Sequence, residues 1–238
     1  MERPGLRSVL EGRDRSGPGD GEIEMHAACG LNVEGAVGPP RSNVNSLRFV
    51  NTYSKGMHPM METSRLTIRR FFSRDWQDLY EYLSDEEVVR FEPYSTFGKE
   101  QAIKEAEKRT NDDSFWAVCL KENDKLIGNL YFCQQEPKEF MIWEIGYVFN
   151  RAYHGKGYAT ESADRLLKYG FETCNAHRIQ AHCDPKNIAS WRLLERLGMR
   201  REAHFIKKSF FHYDEQGNPL WHDAYEYAIL RDEWFERS

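Results

Sequence analysis

The stretch "NRAYHGKGYATESADRLLKYGFE", Asn150–Glu172, decides how this chain is read. Gly155 and Gly157 lack a Cβ and reach positive φ, so the chain can turn tightly there and bare its N–H groups. From about Tyr158 the spacing predicts a helix ending near Phe171, with Ala159, Ala163, Leu166, Leu167 and Phe171 on its inner face. A helix start leaves its first amides unpaired and carries partial positive charge, which suits a phosphate or pyrophosphate. Two phosphate-loop patterns fail here. The spacing does not match Gly-x-x-x-x-Gly-Lys-Ser/Thr, and Gly-x-Gly-x-x-Gly would need a glycine at Thr160. The plain alternative is a glycine-softened loop feeding an ordinary core helix.

Working outward, "FMIWEIGYVF" (Phe140–Phe149) before the motif and "HRIQAHC" (His177–Cys183) after it read as strands. A helix crossover between them makes the pair parallel. "SFWAVCLK" and "KLIGNLYFCQQ" flank the polar turn "ENDK" and read as a hairpin. Earlier still come a strand over Ser64–Phe71 and a helix opened by Asp75, with Trp76, Leu79, Tyr80 and Leu83 on one face. An aromatic loop, Arg90–Ser95, leads to the helical pattern "TFGKEQAIKEAEKRT". After the crossover, "NIASWRLLERLG" predicts a helix stopped by Gly198, then strands over about Phe205–Tyr213 and Trp221–Leu230 around "DEQGNP". The fold class is mixed α/β (α+β): a central, mostly antiparallel sheet with one parallel pair, flanked by helices.

Composition divides the chain near Met60. Residues 1–60 hold nine of the seventeen glycines and five of the nine prolines, yet only two of the thirty-two aromatics, Phe49 and Tyr53. Such a segment buries too little apolar surface to offset its ordering entropy, so 1–60 is expected to be a disordered or added extension to a domain at 61–238. A net charge of -5 argues against nucleic acid as a partner. Five cysteines without Cys-x-x-Cys spacing suit a reducing cytoplasm, and no ligand spacing points to a metal. No apolar run approaches the ~18 residues of a membrane span.

His154-Gly155-Lys156-Gly157-Tyr158-Ala159 resembles the Gln/Arg-x-x-Gly-x-Gly/Ala signature of the GNAT N-acetyltransferase superfamily, with His154 in place of Gln or Arg. The likeness extends to "EIGYVFNRAYHGKGYATE", "NIASWRLLERLGM" and "WHDAYEYAILRDEW", and points to the RimJ/RimL-like branch over nearly all of 62–235. It implies that the anion is the pyrophosphate of acetyl-coenzyme A, held by the backbone of 155–160 (Gly155, Lys156, Gly157, Tyr158, Ala159, Thr160) beside His154. Lys156 and Arg151 would add screened positive charge. The pantetheine arm is then expected between the splayed strands Phe140–Phe149 and His177–Cys183, bonded by backbone near Val148 and Phe149. Asn187 is a natural N-cap for the next helix and, by resemblance, an arm contact.

By the same resemblance Ser190 lies close to the thioester sulfur. Many members place a Tyr seven residues after the Asn, where this chain has Leu194, so Ser190 is the candidate donor to the leaving thiolate. Such enzymes need no nucleophilic side chain, only orientation, oxyanion donors and a base. Glu144 is the candidate base; a structural strand carboxylate is its plain reading. His212, Tyr213, His222 and Asp223 are rivals, and Trp76, Tyr80, Phe91, Tyr94 and Phe97 are candidate walls of an acceptor pocket. Neutralising a lysine amine at pH 7 costs about 4.6 kcal/mol against about 1 kcal/mol for an α-amine, which favours an N-terminal acceptor. Acetyl-coenzyme A and a primary amine, from a protein N-terminus or a small molecule, are the implied partners, and a homodimer is compatible. An acyl-coenzyme A sensor without catalysis and a nucleotide-binding protein are the rival readings.

Overall fold

The computed structural model describes residues 60–237; the expected extension therefore lies outside the described residues, apart from Met60. Fourteen elements follow in order. They are β1 (Met61–Glu62), β2 (Leu66–Arg69), α1 (Trp76–Leu83), α2 (Glu86–Val89), α3 (Lys99–Thr110), β3 (Phe115–Leu120) and β4 (Leu126–Gln134). Then come β5 (Ile142–Phe149), α4 (Tyr158–Glu172), β6 (Arg178–Cys183), α5 (Ile188–Arg196), β7 (Arg200–Tyr213), β8 (Pro219–Leu230) and α6 (Arg231–Glu236). One sheet runs β1-β2-β3-β4-β5-β6-β8-β7, with β5–β6 its parallel pair and the other neighbours antiparallel. The fold class expected from the sequence is the one found.

Alternation along the strands sends side chains to two cores. Trp116, Val118, Leu130, Phe132, Ile145 and Ile179 pack against Ala163, Leu166, Leu167 and Phe171 of α4 and Leu193 and Leu194 of α5. On the opposite face Ala117, Cys119, Leu126 and Val148 meet Leu79, Tyr82 and Leu83 of α1 and Ala106 of α3. Gly170 lets α4 lie close to the sheet, since a Cβ there would come 2.7 Å from Ile179 and Phe132 atoms. Tyr82 rather than Tyr80 faces the core: its hydroxyl reaches Asn129 Oδ1 at 2.9 Å, which satisfies a buried polar atom, while Tyr80 stays exposed. The final hairpin is longer than expected, and α2, α6 and β1 are additions.

Candidate active site

Asn150 ends β5 and caps the turn after it, its Oδ1 accepting from Ala152 N–H at 3.0 Å. Gly155 (φ +74°) and Gly157 (φ +83°) then take the left-handed conformation that only glycine adopts cheaply. Gly157 is the N-cap of α4 and, having no side chain, leaves the first amides of the helix without a side-chain partner. Arg65, at the start of β2, braces the loop from behind. Its Nη1 donates to the Lys156 carbonyl at 3.0 Å, and its guanidinium pairs with Glu161 at 2.6 Å and stacks 4.5 Å above the Tyr158 ring. Burial opposes ionisation of Glu161, but hydrogen bonds from Thr63, Arg65 and Ser64 outweigh it and hold the carboxyl below its ordinary value. The acid in the first turn is thus neutralised by its own clamp.

Cations frame this turn. Arg196 of α5 reaches Thr160 Oγ1 at 3.4 Å. The Lys156 amine lies over the Tyr153 ring, and Arg151 is tied to Asp85 at 3.2 Å. His154 turns back, its Nε2 3.0 Å from the Phe149 carbonyl. Turn, uncapped helix start and cations together fit a diphosphate.

Beside this turn the ladder between β5 and β6 is short. Parallel pairing joins Ile142, Trp143 and Glu144 to Arg178, Ile179 and Gln180, and stops there, so Ile145–Phe149 pair only with β4. Asn150 N–H donates to Ile127 O across the β4–β5 ladder. By alternation Val148 also turns its backbone groups to β4, whereas Phe149, Tyr147 and Ile145 direct theirs away from it. Of the two backbone positions expected to bond the pantetheine arm, Phe149 therefore faces the cleft and Val148 does not.

One side of the cleft carries hydroxyls. Tyr147 Oη lies 2.9 Å from Ser190 Oγ and 3.1 Å from the Ser190 carbonyl. Burial pushes the Tyr147 phenol above its ordinary value, with the Ser190 hydrogen bond opposing. Burial likewise pushes the Cys183 thiol up to about 11, again opposed by Ser190. Asn187 is the N-cap, its Oδ1 accepting from Ser190 N–H at 3.2 Å, and Leu194 is fully buried. Tyr147 was not among the residues expected from the sequence; the alternation of β5, which sends Trp143, Ile145 and Tyr147 to one face, was the available signal.

The other face carries the carboxylates. Glu144 is only 6 % exposed. Its Oε2 lies 3.6 Å from His182 Nδ1, and His182 Nε2 lies 3.1 Å from Glu226 Oε2. Neither His182 nor Glu226 was anticipated. The rival bases are engaged elsewhere: His222 with Asp184 and Asp223 with His204, each at 3.1 Å, while His212 and Tyr213 end β7 near the hairpin turn. Phe91 and Tyr94 are partly buried beside Phe97, which Tyr94 meets edge-on at 5.3 Å. Between them Glu92 has its carboxyl pushed up to about 7 by burial, against a hydrogen bond from Tyr94. Among the described residues no group of side chains could hold a metal ion, and no helix is long and apolar enough to cross a membrane.

The arrangement has independent parallels. The family model for the acetyltransferase (GNAT) domain matches residues 65–200. The uncharacterized N-acetyltransferase YnaD of Bacillus subtilis (strain 168) is 43% identical over 173 residues, covering 72% of this chain and 97% of that protein. The crystal structure of a GNAT-family acetyltransferase from Bacillus anthracis, 39% identical, superposes with a TM-score of 0.67 over 74% of this chain and 100% of that one. Two more distant relatives have named acceptors. The [ribosomal protein uS5]-alanine N-acetyltransferase of Escherichia coli (strain K12) is 26% identical over 82% of this chain and 96% of its own length. The spermidine N(1)-acetyltransferase of Vibrio cholerae is 24% identical over 74% and 98%.

Proposed function

Because the chain belongs to the GNAT acetyltransferase family, whose donor is acetyl-coenzyme A, we propose that residues 61–238 transfer the acetyl group to a primary amine by direct attack on the thioester. The observation that carries this reading is the pairing of β5 with β6, which ends at Glu144–Gln180 beside an uncapped helix start. The diphosphate belongs at the amides of residues 155–160 and the arm along the cleft-facing backbone of Phe149 and Tyr147. The thioester carbonyl then lies near the Ile145 and Tyr147 amides, where N–H groups stabilise an oxyanion.

Glu144 receives the amine on the sheet face, and Ser190, hydrogen-bonded to Tyr147, donates to the departing sulfur. A thiol of reference pKa ~8.5 is a tolerable leaving group, so one hydrogen bond suffices. For the acceptor class we favour the α-amine of a protein N-terminus, the kind of group named for the uS5-alanine relative. Neutralising such an amine at pH 7 asks about 1 kcal/mol, against about 4.6 kcal/mol for a lysine-like amine.

A thiol-release assay with acetyl-coenzyme A tests both parts. The acceptors are alanine-terminated peptides, the same peptides with blocked α-amines and an internal lysine, and spermidine. Turnover with the free α-amine peptides supports the reading. Turnover with spermidine alone keeps the transferase and removes the N-terminal acceptor; coenzyme A binding without turnover on any amine favours the sensor.

A further inference from the structure

The carboxylate face holds more than one base. Glu144 and Gln180 are register partners on β5 and β6, and His182 and Glu226 are partners on β6 and β8, so alternation sets all four side chains on one face of the sheet. His182 Nε2 is within hydrogen-bond distance of Glu226 Oε2, whereas Nδ1 is 3.6 Å from Glu144 Oε2, beyond it. The proton of a neutral imidazole therefore belongs on Nε2, donated to Glu226, which leaves Nδ1 as a lone pair. Nδ1 and Glu144 Oε2 are then two facing acceptors, both buried and both without a hydrogen-bond partner among the described residues. Like acceptors do not satisfy one another, and an unpaired buried acceptor costs ~1–3 kcal/mol. A donor with two N–H bonds, such as a primary ammonium, satisfies both at once.

Building on the acetyltransferase reading above, we propose that Glu144 and His182 together bind the acceptor ammonium, that His182 Nδ1 takes its proton, and that Glu226 is the positioning residue that fixes the imidazole. One N–H bond breaks and its proton passes to Nδ1, giving an imidazolium between two carboxylates. The freed lone pair forms the C–N bond as the C–S bond breaks with its electron pair on sulfur, and the second proton of the acylated nitrogen neutralises the departing thiolate.

Arg178 holds Glu226 in place, its Nη2 3.1 Å from Oε1, and also pairs with Glu202 at the start of β7. Cys133 lies opposite Glu144 on β4, and Gln180 is its neutral neighbour on β6. Lys208 of β7 is the remaining charge that Glu226 and Glu144 act on; burial lowers its pKa and the two carboxylates oppose that.

The test uses the full chain with ¹⁵N-labelled histidine, His182 being assigned by its loss in His182→Gln. At about pH 8 we expect the proton on Nε2 and a bare Nδ1, and titration with methylammonium to move the Nδ1 resonance toward the hydrogen-bonded position. Glu226→Gln should mix the tautomers while coenzyme A affinity stays the same. With an amine that the wild type acetylates, His182→Gln should lower kcat/KM by ~10²-fold and displace the acidic limb of the pH profile. A proton on Nδ1 in the free protein, or no response to methylammonium, overturns the proposal. So does a His182→Gln variant that binds coenzyme A normally and keeps wild-type turnover, although it leaves the acetyltransferase reading standing. A wild type inert toward every amine defeats that reading instead, and the methylammonium titration still decides whether the pair binds an ammonium.

Discussion

Replacing Gly157 by alanine separates what the left-handed turn does for folding from what it does for binding. At φ +83° a Cβ meets only Arg65 Nη2, at 3.4 Å, so the cost is conformational rather than a clash. A non-glycine residue there loses about 1–2 kcal/mol. Against a stability of ~5–15 kcal/mol the domain stays folded, with Tm lowered by ~2–8 °C. The free loop can relax away from positive φ, while the bound loop must return to it to aim its amides. Whatever part of the ~1–2 kcal/mol the free loop sheds by relaxing is spared in Tm and lost from binding instead, an affinity loss of up to ~5- to 30-fold. Gly217 is a matched control: φ +80°, open space around a Cβ, and a place in the distal turn of the β7–β8 hairpin. Gly217→Ala should lower Tm similarly and leave coenzyme A affinity unchanged. Calorimetric titration with coenzyme A beside thermal unfolding reads both quantities. Unchanged affinity in Gly157→Ala, or an equal loss in Gly217→Ala, would refute the reasoning.

Three further outcomes are expected. Ser190→Ala should lower kcat by ~10-fold or more with little change in coenzyme A affinity, and Tyr147→Phe should reproduce part of that loss; equal turnover would remove the pair from the reaction. Arg65→Ala frees the Lys156 carbonyl and leaves Glu161 without its counter-charge, so coenzyme A binding should weaken several-fold and regain little with Arg65→Lys, which lacks the planar fork. Glu92 holds its proton to about 7 in the folded state against 4.5 as the ordinary value. Its contribution to stability is therefore full below about pH 4.5 and is lost as pH rises through about 7. Glu92→Gln should match wild type in Tm near pH 4 and exceed it by ~2–4 °C near pH 8, since partial exposure leaves roughly 1 kcal/mol of the effect. Equal melting at both pH values would contradict the burial of that carboxyl.

Much of this molecule was legible in the sequence because its signals are local. Two-residue alternation marked β5 and β6, the apolar spacing of α4 marked the crossover, and Gly155 and Gly157 marked the turn. What was not legible depends on partners far away along the chain. Tyr80 and Tyr82 are equally aromatic, and it is Tyr82 that turns inward, where its hydroxyl meets Asn129 on β4. Arg65 looks like an ordinary charged residue at a strand start until α4 brings Glu161 and Lys156 to it. Glu144, His182 and Glu226 meet because three strands pair in one register, which no local pattern encodes. Leu194 was readable as a departure from its relatives, but the Tyr147–Ser190 contact that faces the same cleft needed the fold.

A crystal structure of the full chain with coenzyme A would read the geometry of the site outright. The diphosphate should lie within hydrogen-bond distance of the amides of residues 155–160, and the sulfur in the opening between β5 and β6 near Tyr147 and Ser190. A diphosphate bound elsewhere, or β5 and β6 zipped together beyond Glu144 with the thiol outside them, would contradict this placement.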